Sequence, residues 1–131
     1  MDAASALADL TEISSQVEAA VVLDDSGAVV ASTLDDAERS ARLARAALDL
    51  LGGVDKRFES GGRALTQLEA ALREGSVFVA REEGRSIVAT TSPEPSSGLV
   101  FYDLKTCLRS LAKSKPKATR KRRTAKADAD A

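Results

Sequence analysis

GSVFVAREEGRSIVATTSPEPSSGLVFYDLKTCLRSL, residues 75–111, is the stretch on which the fold turns. Val77, Phe78, Val79 and Ala80 form a short apolar run of β-formers, and Ile87 to Thr91 form a second. Glu82-Glu83-Gly84-Arg85 lies between them, and two such runs around a Gly-containing turn read as a β-hairpin. Pro93 and Pro95 then end the sheet pairing, because proline has no N–H to give a ladder. Ser96 and Ser97 are suited to cap the next element. Val100, Leu104, Cys107, Leu108 and Leu111 recur at helical spacing, so the stretch closes with an amphipathic helix. No side chain of catalytic type stands where chemistry would need one.

The rest of the chain extends this pattern backwards. Residues 2–16 read as a helix, with Ala3, Leu7, Leu10 and Ile13 or Ser14 on one face. Val17 to Asp24 is a strand with apolar residues on both sides, Ala19, Val21 and Leu23 against Ala20 and Val22. A strand apolar on both sides is a central one, covered on both faces. Asp24-Asp25-Ser26-Gly27 is a turn, and Ala28 to Ser32 returns as the second strand of a hairpin. Asp35, with Glu38 three residues on, opens a helix as a capping box. Ala37, Ala41, Ala44, Leu48 and Leu51 form a stripe along it, and Gly52-Gly53 is the expected stop before a loop from Val54 to Gly62. Arg63 to Glu74 fits two readings. Its propensities favour helix, while Thr66, Leu68, Ala70 and Leu72 alternate with polar residues as in a half-exposed strand.

Composition bounds the function. Among the 131 residues aromatics are 3% and Trp is absent, so the core is aliphatic. A body of about 110 residues buries roughly two-thirds of its unfolded surface, enough for one core. One cysteine cannot close an internal disulfide, no signal peptide is evident, and no apolar run approaches the ~20 residues of a membrane span. A cytoplasmic protein is expected. Of 19 basic and 20 acidic side chains, eight basic and two acidic ones fall in residues 113–131, a charge of +6; the remaining 11 and 18 give the body −7. The expected organisation is one domain over residues 1–112 and a disordered tail over 113–131, which lacks any large hydrophobe.

Candidate chemistry is sparse. Cys107 has no histidine anywhere in the chain to act as its base, and it sits on an apolar helix face. Without His, and with one Cys, a transition-metal site has no ligands of the usual kind. Asp24-Asp25 and Asp35-Asp36 are accounted for as turn and cap residues. Gly52-Gly53 and Gly61-Gly62 lack the Gly-Lys-Ser/Thr ending of a phosphate loop. Arg39, Arg42 and Arg45 read as a solvated helix face. No catalytic residue, metal or cofactor is expected. The tail is the other chemical feature: Lys113, Lys115, Lys117, Arg120, Lys121, Arg122, Arg123 and Lys126 can neutralise phosphates, with binding that weakens as salt rises. Lacking aromatics to stack on bases, it would bind nucleic acid only non-specifically; anionic lipid, an acidic protein or self-association, and a solubilising extension with no specific partner are the other readings.

The order of elements, AAVVLDDSGAVVAST at the first hairpin and the 75–111 stretch together resemble the roadblock / dynein light chain family of the roadblock–longin superfamily, in its bacterial form. The resemblance covers about residues 4–111 and implies an α+β fold, α-β-β-α-β-β-β-α. A five-stranded antiparallel sheet would carry the central helix on one face and the terminal helices on the other. It implies that Leu65 to Arg73 is the third strand, against its propensity. It further implies dimers, with the same chain or another roadblock protein, formed by pairing this edge strand and packing the central helices. Ala41, Ala44, Leu48, Leu51, Leu68, Ala70 and Leu72 are the positions this assigns to an interface. Such proteins are non-catalytic platforms that bind small Ras-like GTPases or signalling complexes. The alternative is a nucleic-acid-associated protein acting through its tail.

Overall fold

The structure is a computed structural model describing residues 2–58 and 67–111. Its elements run α1 (Ala3–Ile13), β1 (Val17–Leu23), β2 (Val29–Ser32), α2 (Ala37–Phe58), β3 (Gln67–Ala71), β4 (Ser76–Glu82) and β5 (Arg85–Thr91). A last helix, α3, occupies residues 97–111. The strands form one antiparallel sheet in the order β2-β1-β5-β4-β3. This is the α+β architecture expected from the sequence.

Alternation along the strands supplies two cores. Ala20, Val22, Phe78, Ala80, Ile87 and Ala89 face α1 and α3, where Leu7, Leu10, Val100, Leu104 and Leu108 meet them. The rings of Phe78 and Phe101 meet edge to face with centroids 5.0 Å apart. Val21, Leu23, Val79 and Val88 face α2 and pack on Ala44, Ala47 and Leu51. At the tip of the β4–β5 hairpin, Glu83 (φ 54°) and Gly84 (φ 82°) are both left-handed, the two-residue turn that matches strand twist. Two ion pairs tie this end of β4 to the helices. Arg81 meets Asp55 of α2 at 3.1 Å on one face, and Glu82 meets Arg109 of α3 at 3.1 Å on the other.

Three local expectations are corrected. The cap of α2 is Asp36 rather than Asp35: its Oδ1 accepts the Glu38 N–H at 2.9 Å and its carbonyl accepts the Ser40 N–H at 3.0 Å. Gly52-Gly53 does not end α2, which runs on to Phe58, so Val54–Phe58 is helix rather than loop. Two glycines cost a helix about 2 kcal/mol. Burial of Leu51 before them and the Asp55–Arg81 pair after them offset that cost. Third, α1 stops at Ile13, which is 68% exposed, while Ser14 is buried behind it.

β3 shows tertiary context overriding propensity. Gln67 to Ala71 is a strand because each residue finds a partner on β4, from Gln67 opposite Ala80 to Ala71 opposite Ser76. Residues 59–66, which include the rest of the loop expected to reach Gly62, and residues 112–131 lie outside the described residues.

Candidate functional site

The strand register sorts the α2 face of the sheet into rows. Val21, Val88, Val79 and Leu68 stand side by side across β1, β5, β4 and β3, and α2 covers them. The next row toward the start of β1 is Ala19, Thr90, Val77 and Ala70. Here the cover thins: Thr90, Val77 and Ala70 are only half buried. A groove opens between this row and α2, lined by Ala19, Thr90, Leu34, Leu43, Ala46 and the arginines Arg39 and Arg42. Leu50, one further turn along α2, is 39% exposed. The groove therefore has an apolar floor and a basic rim.

The geometry of α2 explains which side is left open. Ser40, Ala44, Ala47 and Leu51 are its buried stripe, at spacings of four, three and four residues. Leu43, Ala46 and Leu50 fall on one flank, beside the groove. Ala41 and Leu48 fall on the other flank, and Leu48 lies against Gly27 of the β1–β2 turn. Of the positions assigned to an interface from the sequence, Ala44 and Leu51 are buried against the protomer's own sheet. Ala41 and Leu48 are exposed, Leu68 and Ala70 are half buried on β3, and Leu72 just beyond the strand is 60% exposed. The structure thus brings Leu68 and Ala70 into the rows beside α2 and separates them from Ala41. The basic-tail residues Lys113 to Lys126 lie outside the described residues.

Each edge of the sheet has a different character. β2 is four residues long and its pairing with β1 slips between Val22 and Leu23, which spoils it as a template for a further strand. β3 pairs regularly with β4 and has no neighbour on its outer side among the described residues. Its half-buried side chains continue the open row into that edge. A regular, unpaired edge presents a line of backbone donors and acceptors to another strand.

Among the described residues, three ionisable groups depart clearly from their ordinary values. Burial, with the Asp9 carboxylate adding to it, pushes the Cys107 thiol up to about 11, so it stays protonated near neutrality. Asp2 is held below its ordinary value by the Ser5 backbone N–H it caps. Asp24 is held down by the Ser26 hydroxyl, with the N–H groups of Ala28 and Ser26 adding to it. Asp2 thus serves a helix start and Asp24 a turn. Among the described residues no three His, Cys, Asp or Glu side chains are grouped to hold a metal ion. No described helix is long and apolar enough to cross a membrane.

Comparison with known proteins places this fold in a family. The family model for the Roadblock/LC7 domain matches residues 4–91. The chain belongs to the Roadblock/LC7 domain family. Solved structures share its fold at low identity. A Roadblock/LC7 domain from Streptomyces avermitilis superposes with a TM-score of 0.74 at 19% identity, covering 87% of this chain and 98% of that one. The gliding protein MglB of Thermus thermophilus gives 0.68 at 16% identity, covering 85% and 86%. An MglB described in a tetrameric arrangement gives 0.71 at 16% identity, covering 88% and 89%. No curated relative matches the chain. For this Roadblock/LC7 protein the groove flank Leu43, Ala46 and Leu50 was not evident from sequence. Alanine and leucine at 43, 44, 46, 47, 48, 50 and 51 leave almost every face of the helix apolar, so periodicity alone does not fix its orientation.

Proposed function

We propose that this Roadblock/LC7 protein is a non-catalytic dimeric scaffold or regulator, pairing with itself or another roadblock protein, whose client is a small Ras-like GTPase or a complex containing one. The reading rests on family membership and, above all, on one observation: from buried Ala19 the half-buried Thr90, Val77 and Ala70 continue the row beneath the α2 flank into the β3 edge, which has no neighbour among the described residues. Edge pairing would satisfy the free backbone groups of β3. It would also bring the exposed Leu50 and Ala46 flank and Leu72 toward the partner, burying apolar area at roughly 25 cal/mol per Å². The remaining candidates divide by place. Leu68 and Ala70 would act within the paired edge and Ala41 and Leu48 at its periphery, while Ala44 and Leu51 set how close α2 sits to the sheet.

Light scattering on the purified protein tests the dimer, and capture from native lysate of the source organism tests the client. The expected result is twice the protomer mass for the wild type and a monomer for Leu50→Glu combined with Leu72→Lys. Both sites are solvent-exposed, so circular dichroism should be unchanged. A GTPase should co-purify with the wild type. A strictly monomeric wild type that recovers no GTPase at near-native salt would refute the reading.

A further inference from the structure

On the opposite face of the sheet, α1 and α3 enclose a second, smaller cavity of about 70 Å³. It is lined by Ala6, Asp9, Leu10, Ile13, Asp103, Thr106, Cys107 and Ser110. Asp103 is 8% exposed, and neither its carboxylate nor that of Asp9 has a hydrogen bond or ion pair with any described residue. The hydroxyls beside it are directed elsewhere: Thr106 donates to the Tyr102 carbonyl at 2.9 Å and Ser110 to the Thr106 carbonyl at 3.1 Å. The bases of α3 do not serve it either. Arg109 is engaged by Glu82, and Lys105 does not line the cavity. Asp103 is buried without a counter-charge beside the exposed Asp9, and a cation seated between two carboxylates would be favoured there.

We propose that the α1–α3 cleft is the docking site of the chain's own basic segment, with the ammonium of Lys113, Lys115 or Lys117 seated between Asp103 and Asp9. Position supports this occupant. Ser110, at the near end of the cavity, is three residues from Lys113, and α3 leads directly into the segment. Asp103 lies about 10 Å back along the helix from Ser110 at 1.5 Å per residue. An extended chain gains roughly 3.5 Å per residue, so a lysine two to six residues beyond Leu111 can turn back and reach it. Charge supports it as well: the segment from 113 carries +6 and the body −7, and the cleft lining contains two acids and no base. Tethering raises the effective concentration of these lysines at the cleft far above that of a free cation. Docked in this way, the basic segment is withheld from other polyanions until a partner competes for it.

The test uses the full-length protein. Trypsin should cut after Lys113 about tenfold more slowly in the wild type than in Asp103→Asn, because cleavage follows the undocked population. The carboxyl-carbon NMR resonance of Asp103 should also move in a variant carrying Lys113→Gln, Lys115→Gln and Lys117→Gln. That variant leaves every described residue unchanged, so it reports even if Asp103→Asn fails to fold. Equal cleavage rates in wild type and Asp103→Asn would overturn the proposal. An Asp103 resonance indifferent to the three glutamines would overturn it too. If that resonance instead responds to added ammonium chloride equally with and without the lysines, the occupant is a solvent cation and the proposal falls.

Discussion

The sharpest physical test of the fold concerns Gly52 and Gly53. The sequence marks them as a helix stop; in the structure they lie inside α2, both exposed, with nothing within 4 Å of a Cβ built on either. The two interpretations predict opposite signs. In a helix interior, Gly→Ala removes unfolded-chain entropy and adds no clash, so each substitution should stabilise by about 1 kcal/mol. Neighbouring helix positions do not face each other, so the double variant should gain about 2 kcal/mol. With a urea m-value of about 1.5 kcal/mol/M, the unfolding midpoint should rise by about 1.3 M at constant m. Were the pair a left-handed terminus, the added methyl would destabilise by about 1–2 kcal/mol instead. Urea unfolding of Gly52→Ala, Gly53→Ala and the double variant, all at one protein concentration so that any dimerisation contributes equally, separates these cases. A midpoint that falls in the double variant refutes a continuous α2, and with it the placement of Asp55 opposite Arg81.

Three further outcomes rest on particular contacts. Gly75→Ala should destabilise by about 2–3 kcal/mol, because its Cβ would sit 2.1 Å from the Thr91 carbonyl oxygen, a backbone atom of the paired strand β5 that cannot easily move aside; a melting temperature within a few degrees of wild type would contradict that contact. Cys107, with its thiol pushed to about 11, should react with iodoacetamide at a rate that climbs about tenfold per pH unit and has not levelled at pH 10. A plateau near pH 9 would mean that the thiol is not buried as described. Asp24 is depressed below its ordinary 3.8 in the folded state, so its contribution is complete above that value and is lost as pH falls through the lower folded one. Asp24→Ala should therefore lose less stability than wild type on acidification below about pH 4 in denaturant melts, and parallel curves would refute the turn geometry.

The sequence carried the layer order well, because strands with strict alternation leave little choice. Ala20 and Val22 against Val21 and Leu23 define two faces, and each face must find a helix. It carried α2 less well. Asp35 and Asp36 are equally good caps by type, and only the chain's exit from β2 selects the second. Alanine is at home buried or exposed, so the stripe Ala37–Ala41–Ala44–Leu48–Leu51 and the buried set Ser40–Ala44–Ala47–Leu51 look alike on a helical wheel. β3 is strand only by virtue of β4 beside it, a non-local cause that local propensity does not contain. Asp103 illustrates the same limit. In sequence it is one polar residue between Tyr102 and Leu104; its burial follows from α1 lying across it.

The two open sites differ in charge and lie on opposite faces of one sheet, and that constrains any assembly. The groove beside α2 is rimmed by Arg39 and Arg42, while the α1–α3 cleft is acidic. If β3 pairs antiparallel with its own copy, the two-fold axis stands perpendicular to the sheet, and both α2 helices end on the same side. Such a dimer keeps the polarity of the protomer, with two basic, apolar-floored grooves on one broad face and two acidic clefts on the other. An acidic client would be steered to the first face, and the basic segments would be held to the second. Perturbations should divide accordingly. Ala46→Glu on the groove flank should weaken dimerisation and client capture together. Asp103→Asn should leave both intact while freeing the basic segment, and a variant of either face that changed both sets of properties would argue against this separation.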